Sequence, residues 1–156
     1  MIDPFILKWA HIVSSTVLFG TGLGTAFHGL ASNLRGDLRG IVVANKNVVL
    51  ADWIFTSPAV VVQPVTGVLL ALEEGFPLDA PWLLASVGLY VFVGCCWLPV
   101  VWLQVRMARI AEACLATGAP LPPAYRRYFG WWFALGCPAF IAMLAIFWLM
   151  VAKPQF

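Results

Sequence analysis

Four stretches of apolar residues, each long enough to cross a hydrocarbon layer as a single helix, leave this chain little choice of fold. They run over residues 5–30, 49–72, 81–105 and 129–152, and about 20 residues suffice for a crossing at a rise of about 1.5 Å each. Lipid offers backbone amides no hydrogen-bond partner, so each stretch must satisfy its own as a helix. The predicted fold is all-α: an integral membrane four-helix bundle forming one domain over residues 1–156. Composition agrees, with 62% hydrophobic and 10% charged residues and a mean hydropathy of +0.92, beyond the range of a water-soluble domain. A net charge of +2 is too small to suggest nucleic acid as a partner. The opening Met1-Ile2-Asp3-Pro4 has no basic region, and the first apolar run exceeds signal-peptide length, so no cleaved leader is expected.

Loop charges set an expected orientation. The first and third connections hold seven basic residues (Arg35, Arg39, Lys46, Arg106, Arg109, Arg126 and Arg127), whereas the second holds none and carries Glu73, Glu74 and Asp79. Basic loops stay in the cytoplasm, so both termini are expected on the outer, periplasmic side of a bacterial inner membrane. Trp9, Trp82 and Trp148 then fall at the outer interface, and Trp53, Trp102, Trp131 and Trp132 at the inner one. The connections read as a polar loop over 31–47, a turn over 73–79 and a proline-rich loop over 106–128. No internal repeat relates the two halves, which speaks against an inverted-repeat transporter.

The first span, KWAHIVSSTVLFGTGLGTAFHG from Lys8 to Gly29, carries both histidines. His11 and His28 are about 25 Å apart along a helix, so within one chain they cannot share a metal ion. His11 is expected at the depth of Gln63, Thr66, Tyr90, Met143 and Phe147, a set that suits a b-type haem. Its imidazole would be an axial ligand and the Met143 thioether the sixth, with Lys8 meeting a propionate. The competing reading is a polar interhelical contact with Ser14 or Ser15. His28 is expected level with Asp52, as an ion-pair partner, a second haem ligand or a proton entry point. An acid in an apolar run needs a partner, and His28 and Arg39 are the candidates; a helix N-cap is the other reading of Asp52. Asp52 and Gln63 form the candidate polar relay. Arg106 and Arg109, one turn apart, read as anchors for lipid phosphates or haem propionates.

Pro58, Pro64, Pro99 and Pro138 each remove one backbone bond and free the carbonyls of Ile54, Val60, Cys95 and Ala134. Thr56, Ser57, Gln63, Thr66 or water are the expected donors, in a kinked, partly polar interior with room for a cofactor or substrate. Gly20-x-x-x-Gly24 reads as a surface of close approach for a helix or a planar ring. Cys95, Cys96 and Cys137 read as small buried hydrophobes. With Cys114 they make no C-x-x-C or C-x-x-C-H pattern, which argues against a disulfide framework, a zinc site and covalently attached haem.

The segments LKWAHIV, ADWIFTSPAVVVQPVTG, CCWLPVVWLQVRM and FALGCPAFIAMLAIFWLMVAKP resemble, along essentially the whole chain, a bacterial family of four-span inner-membrane proteins, the predicted integral membrane family of unknown function numbered 2269. More distantly, Lys8-Trp9-Ala10-His11 is similar to the Lys-x-x-His opening of copper-resistance D proteins and of HemJ-type protoporphyrinogen oxidases, the latter b-haem proteins. That likeness implies His11 as a haem ligand. Three function classes follow. One is a b-haem redox or electron-transfer protein working with a quinone, a porphyrinogen or a partner cytochrome. The second is a non-catalytic subunit or assembly factor docked on another membrane protein. The third is a small proton-coupled transporter, enclosing its path as a homo-oligomer.

Overall fold

The computed structural model describes residues 3–154; Met1 and Ile2, part of the opening read above for a leader, lie outside them, as do Gln155 and Phe156. Helix α1 spans Pro4–Arg35. Asp3 caps it by accepting from the Phe5 amide at 2.8 Å, with Pro4 in the first turn, where its missing N–H costs nothing. Gly36 ends it in the left-handed conformation at φ 74°. Asp37 then caps the next helix by accepting from Gly40 N at 2.8 Å, and α2 begins at Leu38. The loop expected over 31–47 is therefore a reversal at Gly36-Asp37 between two helices. Hydropathy falls there because the helices outgrow the lipid: α2 still buries Ile41, Val42, Ala44, Asn45 and Val48 on one face.

Helix α2 (Leu38–Ala51), a π-helical turn (Asp52–Thr56) and α3 (Ser57–Glu73) follow without interruption as one transmembrane helix. Gly75, at φ 71°, starts the turn that leads to α4, Pro81–Thr117. The loop expected over 106–128 also contracts, since α4 runs to Gly118 at φ 69° and α5 spans Pro123–Ala152. Leu103, Met107, Ala111 and Cys114 form a buried helical stripe along that extension. Leu103, Met107 and Ala111 pack with Ile41, Val42, Tyr125 and Trp132 into the main core of the basic end. Four helices are long and apolar enough to span a membrane, and no strand occurs among the described residues.

Helices α4 and α5 form the most extensive pair; α1 packs on α3, and α2 packs on both α1 and α4. At the basic end the Tyr125 hydroxyl, fully buried, donates to Asn33 Oδ1 at 2.9 Å and accepts from Asn45 Nδ2 at 3.0 Å, joining α5, α1 and α2. The end holding both termini is closed differently. Lys8 pairs with Glu74 at 2.6 Å, and Lys153 lies over the Phe76 ring at 4.1 Å and the Trp82 ring at 5.7 Å. Trp82, expected at the interface, is buried there with Ala80 and Leu149. Phe27, Val61, Ile141 and Val151 point outward, as lipid-facing positions do.

Pro64, Pro99 and Pro138 sit inside helices, and Pro58 lies in the first turn of α3. The carbonyl that Pro64 frees, Val60 O, accepts from Tyr90 Oη at 2.6 Å, a donor from α4 and none of those expected. All four cysteines are free thiols; Cys96 and Cys114 are buried, whereas Cys95 and Cys137 face outward and correct the buried reading. A Cβ on Gly20, Gly22 or Gly24 would meet nothing within 4 Å, so these glycines make no close approach. The close approaches are elsewhere. A Cβ on Gly29 would lie 3.4 Å from the Trp132 ring, and one on Gly67 3.0 Å from the His11 ring.

Candidate functional site

Besides the Asn33–Tyr125–Asn45 node, two polar clusters lie inside the bundle, both involving the helix that begins at Leu38. The first surrounds His11 in the seam between α1 and α3. Gln63 Nε2 lies 3.2 Å from His11 Nε2, and Thr66 Oγ1 lies 3.0 Å from His11 Nδ1. An amide nitrogen can only donate, so Nε2 is the acceptor and the ring proton sits on Nδ1, donated to Thr66. The Thr66 hydroxyl passes its own proton to Val62 O at 2.8 Å. Ser14 donates to Gln63 Oε1 and lies 3.1 Å from His11 O, which closes the ring of contacts. Ser14 reaches the imidazole only through Gln63, its own contact being with the His11 backbone carbonyl, and Ser15 turns to the Ile12 carbonyl at 2.8 Å. Gln63 belongs to this cluster and not to a relay with Asp52.

The second cluster is built by the π-helical turn. Ser57 N bonds back to Asp52 O across five residues, and Pro58 contributes no N–H to the turn beneath it. The wider turn sets Asp52 among its neighbours with 6% of its surface exposed. Its Oδ1 accepts from Thr56 Oγ1 at 2.8 Å. The Gln104 side chain, on α4, lies beside the same carboxyl group and is also 6% exposed. Three buried side-chain atoms here make no hydrogen bond within the protein: Asp52 Oδ2, Gln104 Oε1 and Trp97 Nε1. All three residues line one recess of about 410 Å3, whose apolar walls include Trp53, Leu98, Val101 and Trp102. Trp53, Leu98 and Trp102 are outward-facing, so the recess opens sideways toward lipid.

The other expected site residues are dispersed. His28 is exposed on the outside of α1 and does not partner Asp52, and Arg39 is exposed near the start of α2. Asp52 is no helix N-cap, because the helix runs through it; Asp37 takes that role. Lys8 is engaged by Glu74. That contact holds the Glu74 carboxyl below its usual value, first by hydrogen bonding and then by charge attraction, with Lys153 adding to it. Met143 is half-buried on α5 between Phe140 and Phe147, which pack on Phe19 at 5.1 and 5.2 Å. Phe19 is about 12 Å further along α1 than His11, so Met143 lies level with Phe19 and not with the histidine. Arg106 rests over the Trp102 ring at 5.4 Å, at the rim of the Asp52 recess, and Arg109 is exposed a turn further along. No group of three or more metal-ligating side chains occurs among the described residues.

Gln104 and Trp97 were not singled out by the sequence reading. Their signal is weak: a glutamine two residues before Arg106, and a tryptophan deeper than the interfacial ones.

Comparison with known proteins bears on the whole chain. The model of a family described as predicted integral membrane protein (DUF2269) matches residues 5–154. The chain belongs to this family. No curated protein and no solved structure matches it. The family description and the four spanning helices make it an integral membrane protein, with a lipid bilayer as its surroundings.

Proposed function

We propose that this family member is a membrane-embedded binding protein, which takes an amphipathic small molecule from the bilayer into the recess at Asp52. The observation that carries the reading is a laterally open, tryptophan-walled recess of about 410 Å3 with the buried Asp52 and Gln104 among its lining residues. Its volume is ordinary for a ligand site, and its apolar walls suit a molecule that arrives from the bilayer. In the orientation expected from the loop charges, the recess lies in the cytoplasmic half of the membrane. Organic extraction of the purified protein followed by mass spectrometry tests the reading. About one small molecule per chain is expected from the wild type and none from Val101→Trp, which fills the recess; identical extracts overturn it.

A b-haem redox role at His11, with a quinone, a porphyrinogen or a partner cytochrome as electron partner, is the second reading. One observation favours it: Thr66 holds Nδ1 and leaves the lone pair on Nε2, the state an axial ligand requires. Ligation needs Gln63 to turn away from that nitrogen. A reduced-minus-oxidised spectrum of protein from haem-replete cells decides the matter. A Soret band lost in His11→Ala supports the role, and a colourless preparation sinks it.

A further inference from the structure

We infer that the recess holds the acyl chain of an anionic amphiphile, whose carboxylate or phosphate pairs with Arg106 at the mouth. This rests on the reading of the recess as a binding site and adds the chemistry of what enters it. Inside, the recess offers hydrocarbon and aromatic surface: Val49, Val101 and Val105 line it with the rings of Trp53, Trp97 and Trp102. Asp52 Oδ2, Gln104 Oε1 and Trp97 Nε1 are turned into the wall and present no surface to an occupant. A polar head carried into the recess would lose its water without gaining a partner, so the chain belongs inside and the head outside.

The charge lies at the mouth. Arg106 follows Val105, the last lining residue of α4, and its guanidinium stands 5.4 Å from the centre of the Trp102 ring, itself a wall of the recess. Tyr128 meets that ring edge-on at 5.8 Å, so the guanidinium rests on a supported surface. Arg106 belongs to neither ion pair found among the described residues, Lys8–Glu74 and Lys46–Glu112. Apart from Asp52, the acids of this end are already engaged, Glu112 by Lys46 and Asp37 by the Gly40 amide. A guanidinium at a bilayer surface with no carboxylate of its own pairs with an oxyanion, which its fork of N–H groups fits. Direction agrees with charge. The lining of α4 from Trp97 to Val105 covers about 12 Å of helix, from the middle of the bundle toward the basic end. A head at Arg106 therefore sends its chain toward the bilayer centre, as the lipids of that leaflet do. A cationic head is repelled at this mouth, and a neutral one leaves Arg106 unpaired. Two sources share the chemistry: a free fatty acid and an anionic phospholipid.

The test is photo-crosslinking of the full chain in non-ionic detergent with palmitic acid that carries a diazirine in mid-chain, at alkaline pH, where the acid is ionised. The alcohol of the same chain is the control. Adducts mapped by mass spectrometry are expected within residues 97–105, half-saturating at an about tenfold lower concentration of the acid, the factor that a charged hydrogen bond supplies. Arg106→Gln should remove the preference for the acid, and Arg106→Lys should retain most of it. Arg39→Gln, at an exposed cation of the same end, should leave it unchanged. Thermal unfolding shows that each variant is folded; Arg106→Met, which keeps an apolar stem on Trp102, serves if Arg106→Gln is not. Equal labelling by acid and alcohol, or an unchanged preference in folded Arg106→Gln, overturns the inference. If the alcohol labels better and Val101→Trp abolishes its adducts, the recess is a ligand site and only the anionic head falls. If neither probe labels the recess and Val101→Trp leaves the extracts unchanged, both readings fall. Native mass spectrometry from nanodiscs of phosphatidylglycerol and phosphatidylcholine separates the sources. Selective retention of phosphatidylglycerol by wild type, lost in Arg106→Gln, identifies a phospholipid; preference for the acid without lipid selectivity identifies a free fatty acid.

Discussion

A methyl group added at Gly67 would sit 3.0 Å from His11 Cε1, closer than two carbons pack comfortably. The imidazole cannot give way easily, because Gln63 and Thr66 hold both its nitrogens. Gly67→Ala is therefore expected to destabilise the protein by about 1–3 kcal/mol, as overpacking does. Gly20→Ala and Gly24→Ala, with open space around the new atom, should be neutral or stabilising by up to about 1 kcal/mol, since alanine is the better helix former. Thermal unfolding in one detergent compares the three variants. The same measurement checks Tyr90→Phe. Loss of its hydroxyl leaves the Val60 carbonyl, already freed by Pro64, without a donor inside the bundle. A cost of about 1–3 kcal/mol is expected for an unsatisfied buried carbonyl.

Among the elements, the helix from Leu38 to Glu73 does the most to shape the interior. Its π-helical turn changes the register between α2 and α3, so Asp52 meets α4 while Gln63 and Thr66 meet α1. Thr56 joins the two ends of that turn through the Asp52 carboxyl. Thr56→Val removes this hydrogen bond at nearly constant volume. The variant should fold, and the amount of small molecule extracted per chain should fall severalfold. The hairpin that delivers this helix depends on Gly36 at φ 74° and on the Asp37 cap. Gly36→Ala should cost about 1–2 kcal/mol for a side chain in the left-handed region. Asp37→Ala should cost about 0.5–2 kcal/mol for the lost cap. Because the two residues are adjacent, the double variant should depart from the sum of the singles in the same unfolding assay.

Over the whole molecule, the bundle is closed at both ends by polar contacts and left apolar along its flanks. At the basic end the buried Asn33–Tyr125–Asn45 node ties three helices. At the other end Lys8–Glu74 ties α1 to the turn after α3, and Lys153 covers Phe76 and Trp82. Lys8 holds the Glu74 carboxyl below its ordinary value of 4.5. A carboxyl lowered in the folded state stabilises that state above the unfolded value, and the contribution disappears as the pH falls through the folded one. Wild type should therefore unfold at a slightly higher temperature than Glu74→Gln at pH 6, and the gap should close toward pH 3. A gap independent of pH would show that the contact acts by packing and not by charge. The effect is small because both groups are exposed to water.

The number of spans and the family were legible in the chain, because lipid forces any apolar run of that length into a self-satisfied helix. The turn at Glu73–Asp79 was legible from its Glu-Glu-Gly and Pro punctuation. Helix ends at the basic side were not, since hydropathy reports where lipid stops and α1, α2, α4 and α5 all continue past it. His11, Gln63 and Asp52 stood out as polar residues in apolar runs. Which of them meet was decided by tertiary structure: one π-helical turn rotates the helix between Asp52 and Gln63, and a sequence pattern assuming constant periodicity cannot follow that rotation. Sequence thus determined the membrane, the four crossings and the polar residues that had to find partners. Only the packed bundle decided the partners, because a hydrogen bond between helices depends on their rotation and depth, which are set by side chains distant in the chain.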